Sequence, residues 1–163
     1  MNIVNIRKNE NECLEDVQKF VEKSIQGVAK VYQTQCQMFY GNLQMIQQRV
    51  SHGLEKMYTA WEGDTCIAIL SAVVSPNQGT GCTSATIVFT YVDENYRNQH
   101  IASKLVDNCL DDCKEAGINK LTLSVAFPEK RTLCLYISKG FKPEGYVNSV
   151  NEEYDTVILG KLL

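Results

Sequence analysis

Arg97 sits where the residues with chemical potential are most concentrated. In the stretch YVDENYRNQHIASKL, residues 91–105, the end of a strand-like run turns polar, passes through Arg97, Asn98, Gln99 and His100, and resumes with helical spacing at Ile101, Ala102 and Ser103. A strand that feeds straight into a helix leaves the first amides of that helix without intrahelical acceptors, at the positive end of its dipole. Anions bind at such ends. A guanidinium nearby adds a fixed charge and a fork that fits phosphate oxygens, and the Ser103 hydroxyl adds a donor in the first turn. A diphosphate would suit this seat, held against the backbone of residues 98–103. The same residues also describe a solvated arginine in an ordinary polar loop, and by themselves they leave the two readings level.

The other reactive side chains are less organised. Seven cysteines, at positions 13, 36, 66, 82, 109, 113 and 134, include no Cys-x-x-Cys pair, and His52 and His100 lie at no metal-site spacing from them. A thiol-based redox or metal protein would need that spacing. Cys109 and Cys113 are four apart on a predicted helix and can face one another; small core residues of a reducing compartment need no further role.

The elements that must position these groups follow from periodicity. Ile3 to Ile6 alternate as a short first strand, and Leu14, Val17, Val21, Ile25 and Val28 lie on one face of a first helix. A second helix, roughly Cys36 to His52, carries Phe39, Leu43, Ile46 and Val50 on one side, is rich in glutamine on the other, and ends at Gly53. MYTAWEGDTCIAILSAVV reads as two strands joined at Glu62-Gly63-Asp64, with Tyr58 and Trp61 as packing residues. A longer strand, Ser84–Val92, leads into a helix from Ile101 to Ala116, stopped by Gly117. NKLTLSVAF is a further strand, PEKRTLCLYISKG a helix with Pro128 suited to its first turn, and strand-like pieces lie around Gly145 to Val150 and Thr156 to Leu159. The order β-α-α-β-β-β-α-β-α-β-β is that of an α/β sheet with helices on its faces.

Composition bounds the function. A chain of 163 residues suits one domain, and 44% hydrophobic with 21% charged residues is ordinary globular composition. A net charge of −3 leaves no basic footprint for nucleic acid. No apolar run approaches the ~20 residues that span a bilayer, and MNIVNIRKNENE has neither the apolar core nor the small-residue cleavage site of a signal peptide. The expectation is a cytoplasmic protein with no membrane contact.

VDENYRNQHIASKL resembles the acyl-CoA pyrophosphate loop of the GNAT acyltransferase superfamily, Gln/Arg-x-x-Gly-x-Gly/Ala between a strand and a helix. Arg97 matches its first position and Ala102 its last, with Tyr96 and Ser103-Lys104-Leu105 also typical. Downstream, LYISKGFKPEG is similar to the superfamily's Leu-Tyr-x-x-x-Gly-Phe segment at Leu135, Tyr136, Gly140 and Phe141. The likeness runs from about Met57 to Gly145. It implies one acyltransferase domain over residues 1–163, built on a mixed, mostly antiparallel sheet with helices on both faces. The implied reaction moves an acetyl group from acetyl-CoA directly to a primary amine of a small molecule or peptide. Arg97, Asn98, Gln99, His100, Ile101, Ala102 and Ser103 would then hold the diphosphate. Backbone groups near Thr90 and Val92 would pair with the pantetheine arm and polarise the thioester carbonyl, and Tyr136 would protonate the leaving sulfur. Pairing into a homodimer is also common among such proteins.

Two departures from the pattern stand out. His100 occupies the glycine position, where positive φ and close backbone approach are needed, and Glu129 stands where an asparagine usually touches the pantetheine. They support a competing implication, a CoA-binding member that has lost catalysis. The general base is unassigned, because Ser84–Val92 contains no carboxylate. Asp93, Glu94 and Glu129 suit solvated surface acids better than bases acting through water, and His52 suits a helix C-terminal charge.

Overall fold

The computed structural model describes residues 4–8, 12–27, 33, 36–37, 40–76, 79–149 and 154–163. Its strands are β1 (Val4–Lys8), β2 (Glu55–Glu62), β3 (Thr65–Pro76), β4 (Thr83–Val92), β5 (Lys120–Ala126), β6 (Lys142–Val147) and β7 (Thr156–Leu162). Its helices are α1 (Leu14–Ile25), α2 (Leu43–Ser51), α3 (Ile101–Glu115) and α4 (Lys130–Ser138), with a 3₁₀ turn at Glu94–Tyr96. All seven strands form one sheet in the order β1-β2-β3-β4-β5-β7-β6. Only the β4–β5 pair is parallel, so the sheet is mixed and mostly antiparallel, as expected. Among the described residues, no helix is long and apolar enough to cross a membrane.

Helices cover both faces, and each face has its own core. On one, α3 buries Ile101, Leu105, Val106, Cys109 and Cys113 against Tyr58, Leu70, Ala85, Ile87, Leu121 and Leu123, joined by Tyr136 and Phe141. On the other, Leu14, Val17, Val21 and Ile25 of α1 and Ile46 and Val50 of α2 pack on Met57, Trp61, Ile69 and Phe89. Removing each large apolar side chain from water contributes about 1.5–3 kcal/mol. α3 is also tied to the sheet by Asp112, which accepts from Lys56 Nζ at 2.7 Å and Tyr58 Oη at 2.6 Å.

Strand β4 changes phase midway. Ala85 and Ile87 belong to the α3-side core and Phe89 to the α1-side core, although strict alternation would keep all three on one face. The register explains it: Ala72 pairs with Ile87 and Ser71 with Phe89, so Val88 is an extra residue with no opposite partner in β3. This is a β-bulge, which bends its strand and re-aims the side chains that follow. Beyond it the parallel ladder to β5 ends. Pairing runs from Ser84–Lys120 to Ile87–Leu123 and stops, while β5 continues along β7 and β4 along β3.

Three expected elements differ in their bounds. The helix expected over PEKRTLCLYISKG begins at Lys130, leaving Pro128 in the turn before its N-cap Glu129 rather than in its first turn. The expected helix from Cys36 to His52 is broken in two: Cys36, Gln37 and Tyr40 are helical, but Asn42 is extended (φ −136°, ψ 110°) and accepts the amide of Met45 at 3.2 Å as the N-cap of α2, which begins at Leu43. Phe39 lies outside the described residues, as do Ile3, Val28 and Val150. Strand β6 starts at Lys142 and takes in Pro143, which an edge strand paired only with β7 tolerates.

Candidate functional site

The loop between β4 and α3 turns through two left-handed residues, Asn98 (φ 62°) and His100 (φ 60°). Asparagine enters this region readily; a histidine held there carries strain of roughly 1–2 kcal/mol. His100 thus adopts the backbone that its glycine-like position requires. It is the N-cap of α3 but makes no side-chain cap, and the first intrahelical bond runs from the amide of Lys104 to its carbonyl at 3.0 Å. The amides of Ile101, Ala102 and Ser103 therefore have no acceptor within the helix.

Arg97 is fixed across the end of β4. Its Nε donates to the Val92 carbonyl at 3.3 Å, its guanidinium lies 5.5 Å from the Tyr91 ring centre, and Glu94 Oε1 approaches it at 3.7 Å. With both ionic side chains well exposed, that pair contributes little to stability. It orients the arginine without neutralising its approach to a stronger anion.

Where β4 and β5 part, a cavity of about 740 Å³ opens, within the usual ~300–1,000 Å³ range of small-molecule sites. Its walls are Ile87–Val92 on one strand and Leu123–Val125 on the other, the α3 N-terminus at one end and α4 along the side. Thr90, Val92, Arg97, Asn98, His100, Ile101, Ala102, Ser103 and Tyr136 all line it; of the residues expected in the site, Gln99 alone does not, and it is exposed. The backbone edge of Phe89–Val92 that faces the cavity has no neighbouring strand, so it presents ladder groups to whatever enters.

Tyr136 projects from α4 and is 1% exposed, its ring edge-on to Phe141 at 5.3 Å. Its hydroxyl lies 2.8 Å from Thr90 Oγ1 on the facing strand. Burial pushes the phenol above its ordinary value near 10, and the hydrogen bond with Thr90 opposes that rise. The phenol is therefore protonated at neutral pH.

The candidate bases separate clearly. Asp93 caps the 3₁₀ turn, accepting from the amide of Asn95 at 3.0 Å, and faces Lys23 at 3.7 Å; neither it nor Glu94 lines the cavity. Glu129 does line it, as the N-cap residue of α4. His52 closes α2, its Nδ1 2.7 Å from the Gln48 carbonyl. Tyr58 and Trp61 are core residues. Sequence reasoning missed Arg131 and Thr132 as cavity residues; Thr132 precedes Tyr136 by four on α4, a same-face spacing by which it was recoverable, whereas Arg131, five before, gave no such signal. Among the described residues, Cys109 and Cys113 are buried with their sulfurs 3.9 Å apart, and no group of His, Cys, Asp and Glu side chains forms a metal cluster.

A model of the acetyltransferase (GNAT) family matches residues 25–141. Solved structures match end to end. An acetyltransferase of the GNAT family from Streptococcus pneumoniae aligns over 99% of this chain and 100% of its own, with a TM-score of 0.79 at 14% identity. The ribosomal-protein-alanine N-acetyltransferase from Brucella melitensis aligns over 98% and 99%, with a TM-score of 0.78 at 17% identity. An N-acetyltransferase from Thermoplasma acidophilum, solved in complex with coenzyme A, aligns over 99% of both chains, with a TM-score of 0.72 at 17% identity. At such identities the likeness is one of fold, and no curated protein sequence matches the chain. With the matched segment covering most of the sequence, from the end of α1 to the start of β6, this chain belongs to the GNAT acetyltransferase family.

Proposed function

We propose that the protein transfers an acetyl group from acetyl-CoA directly to a primary amine of a small molecule or peptide. One observation carries the proposal: a continuous line of groups along the split in the sheet, from the free amides of α3 to the buried phenol of Tyr136. The cavity residues suit each part of the cosubstrate. Backbone amides of residues 101–103 and the Arg97 guanidinium neutralise a diphosphate in the manner of other helix N-termini. The open edge of Val88–Val92, roughly 13 Å long at strand spacing, accepts and donates bonds to the amides of a pantetheine arm as a missing strand would. A backbone N–H on that edge polarises the thioester carbonyl as an oxyanion donor.

Attack by the neutral amine forms the C–N bond, and the C–S bond then breaks with its electron pair leaving on sulfur. Tyr136 supplies the proton that sulfur takes up. A thiolate whose thiol has an ordinary pKa near ~8.5 takes a proton from a phenol over an uphill step. Burial of Tyr136 enlarges that step, and the bond with Thr90 and close positioning offset it. The nitrogen loses its extra proton to solvent, restoring the balance.

Calorimetry with acetyl-CoA and free CoA, then thiol release over a panel of polyamines, amino acids, aminoglycosides and peptides, tests the proposal. Binding of both cofactor forms and turnover with at least one amine class are expected. No binding overturns the anion seat. Tight binding with no turnover across the panel overturns the transferase reading and leaves a CoA-binding protein.

A further inference from the structure

Among the described residues, Thr90 is the one side chain that touches the Tyr136 hydroxyl through a hydrogen bond. Its position there is built by the bulge. Because Val88 is an extra residue, Phe89 and Tyr91 turn to the α1 side, and Thr90 is left on the side of α4. Its backbone is held by β3, where Thr90 stands opposite Leu70. A threonine on a strand has a stiff χ1, so the hydroxyl is aimed before any substrate arrives. Tyr136, buried between Phe141 and the α3-side core, has little freedom to turn toward another partner.

We infer that Thr90 is a positioning residue for Tyr136: its hydroxyl donates to the phenol oxygen, turning the phenol proton toward the leaving sulfur. This rests on the reading of Tyr136 as the acid. The direction of the bond follows from proton bookkeeping. Each hydroxyl has one hydrogen to donate. If the phenol donated to Thr90, its proton would point away from the sulfur at the moment it is required. With Thr90 as donor, the phenol proton is free for transfer, and the same Thr90 O–H then stabilises the phenolate left behind. Burial makes that phenolate costly, and a hydrogen bond from a fixed hydroxyl is the contact that lowers the cost. Two hydroxyls in series also polarise one another, which strengthens both bonds.

The test is a set of four proteins, Thr90→Val, Thr90→Ser, Tyr136→Phe and the Thr90→Val/Tyr136→Phe double variant, assayed by thiol release from acetyl-CoA with the fastest amine of the panel. Valine keeps the shape and strand preference of threonine, and melting temperatures check that each variant folds; Thr90→Ala replaces it if it does not. Thr90→Val is expected to lower kcat about tenfold, the worth of one hydrogen bond, with KM for acetyl-CoA changed less than about twofold. Serine restores most of the rate. In the Tyr136→Phe background the same substitution costs nothing further. An undiminished kcat in Thr90→Val, an effect confined to KM, or an equal loss in both backgrounds overturns the inference. Wild-type turnover in Tyr136→Phe is a different failure, since it removes the acid itself whatever Thr90 does.

Discussion

The first half of β4, Thr83–Ile87, is bonded on both sides; the second half, Phe89–Val92, pairs with β3 alone. The first half is small and β-branched and the second carries both aromatics, Phe89 and Tyr91, but both lie between the two cores and neither composition announces a change of pairing. Their work differs. In the paired half the ladder satisfies the backbone, and even the outlying hydroxyls of Thr86 and Thr122 bond across the strands at 3.0 Å. In the other half the backbone edge faces a cavity that also holds Arg97 and Tyr136. The fold forgoes several ladder bonds there, and the groups set free face the cavity. A single extra residue, Val88, separates a region that holds the sheet together from one whose edge is left open to the cavity.

Deleting Val88 is the most direct way to break this contrast. Without Val88, Ile87 and Phe89 become successive residues on opposite faces, so Phe89 and Thr90 keep their sides, but the bend is lost and the β5 ladder extends along the edge that faced the cavity. Acetyl transfer should fall to background, a loss of roughly 10³-fold or more from the closed edge, while the melting temperature changes little because Phe89 and Tyr91 stay in the α1-side core. Thiol release and a thermal melt on the same preparation check both.

Tyr136→Phe tests the unpaired half without disturbing it. kcat should fall about 10²-fold while CoA affinity by calorimetry stays within about twofold. Burial raises the phenol above its ordinary value, so the acid form persists on the alkaline side. The wild-type kcat profile should accordingly show no fall from loss of this proton below about pH 10.

Arg97→Ala removes the fixed cation at the far end of the same edge. CoA should bind about tenfold to a hundredfold more weakly, the worth of a charge-assisted bond, and the difference should shrink as salt is raised. Titration calorimetry at low and high ionic strength measures it.

His100→Gly acts on the backbone where the two halves hand over to α3. Glycine meets φ 60° without strain, so the free protein should gain about 1 kcal/mol less the chain entropy that glycine adds. The melting temperature of the free protein reads it directly. Smallest of all should be Thr86→Val in the paired half, which removes only the hydroxyl bridge to Thr122. A loss of about 0.5–1 kcal/mol in stability with kcat unchanged is expected, and a fall in kcat would show that the two halves are not separable.

Much of the fold was legible because it is local. The helical stripe of α3, that of α1 from Leu14 to Ile25, the Gly63-Asp64 turn between paired Glu62 and Thr65, and the β-β-β-α-β-α-β-β order from β2 onward stand as read. Asn42, a capping residue after Gly41, was the available sign that the helix expected from Cys36 to His52 is interrupted. The bulge left no such sign. Both faces of β4 are covered, so IVFTYV is apolar or β-branched throughout, and a run without alternation cannot display a change of phase. Glu55 was equally opaque. It opens β2 as an ordinary polar residue, yet its side chain is fully buried, with Arg49 Nε at 2.7 Å and the hydroxyls of Ser71 and Tyr40 bonded to it.

By itself the sequence determined where helices and strands form, which loop could seat an anion, and that Tyr136 belonged to a recognisable motif, because these depend on residues within a few positions of one another. Only the tertiary structure decided that β4 and β5 part after Ile87 and Leu123, that Thr90 meets Tyr136, and that Glu129 rather than Asp93 or Glu94 reaches the cavity. Those outcomes depend on strand register and on helices packed against the sheet across tens of residues of chain. Register is chosen by the burial of two whole faces at once, a quantity that no short stretch of sequence contains.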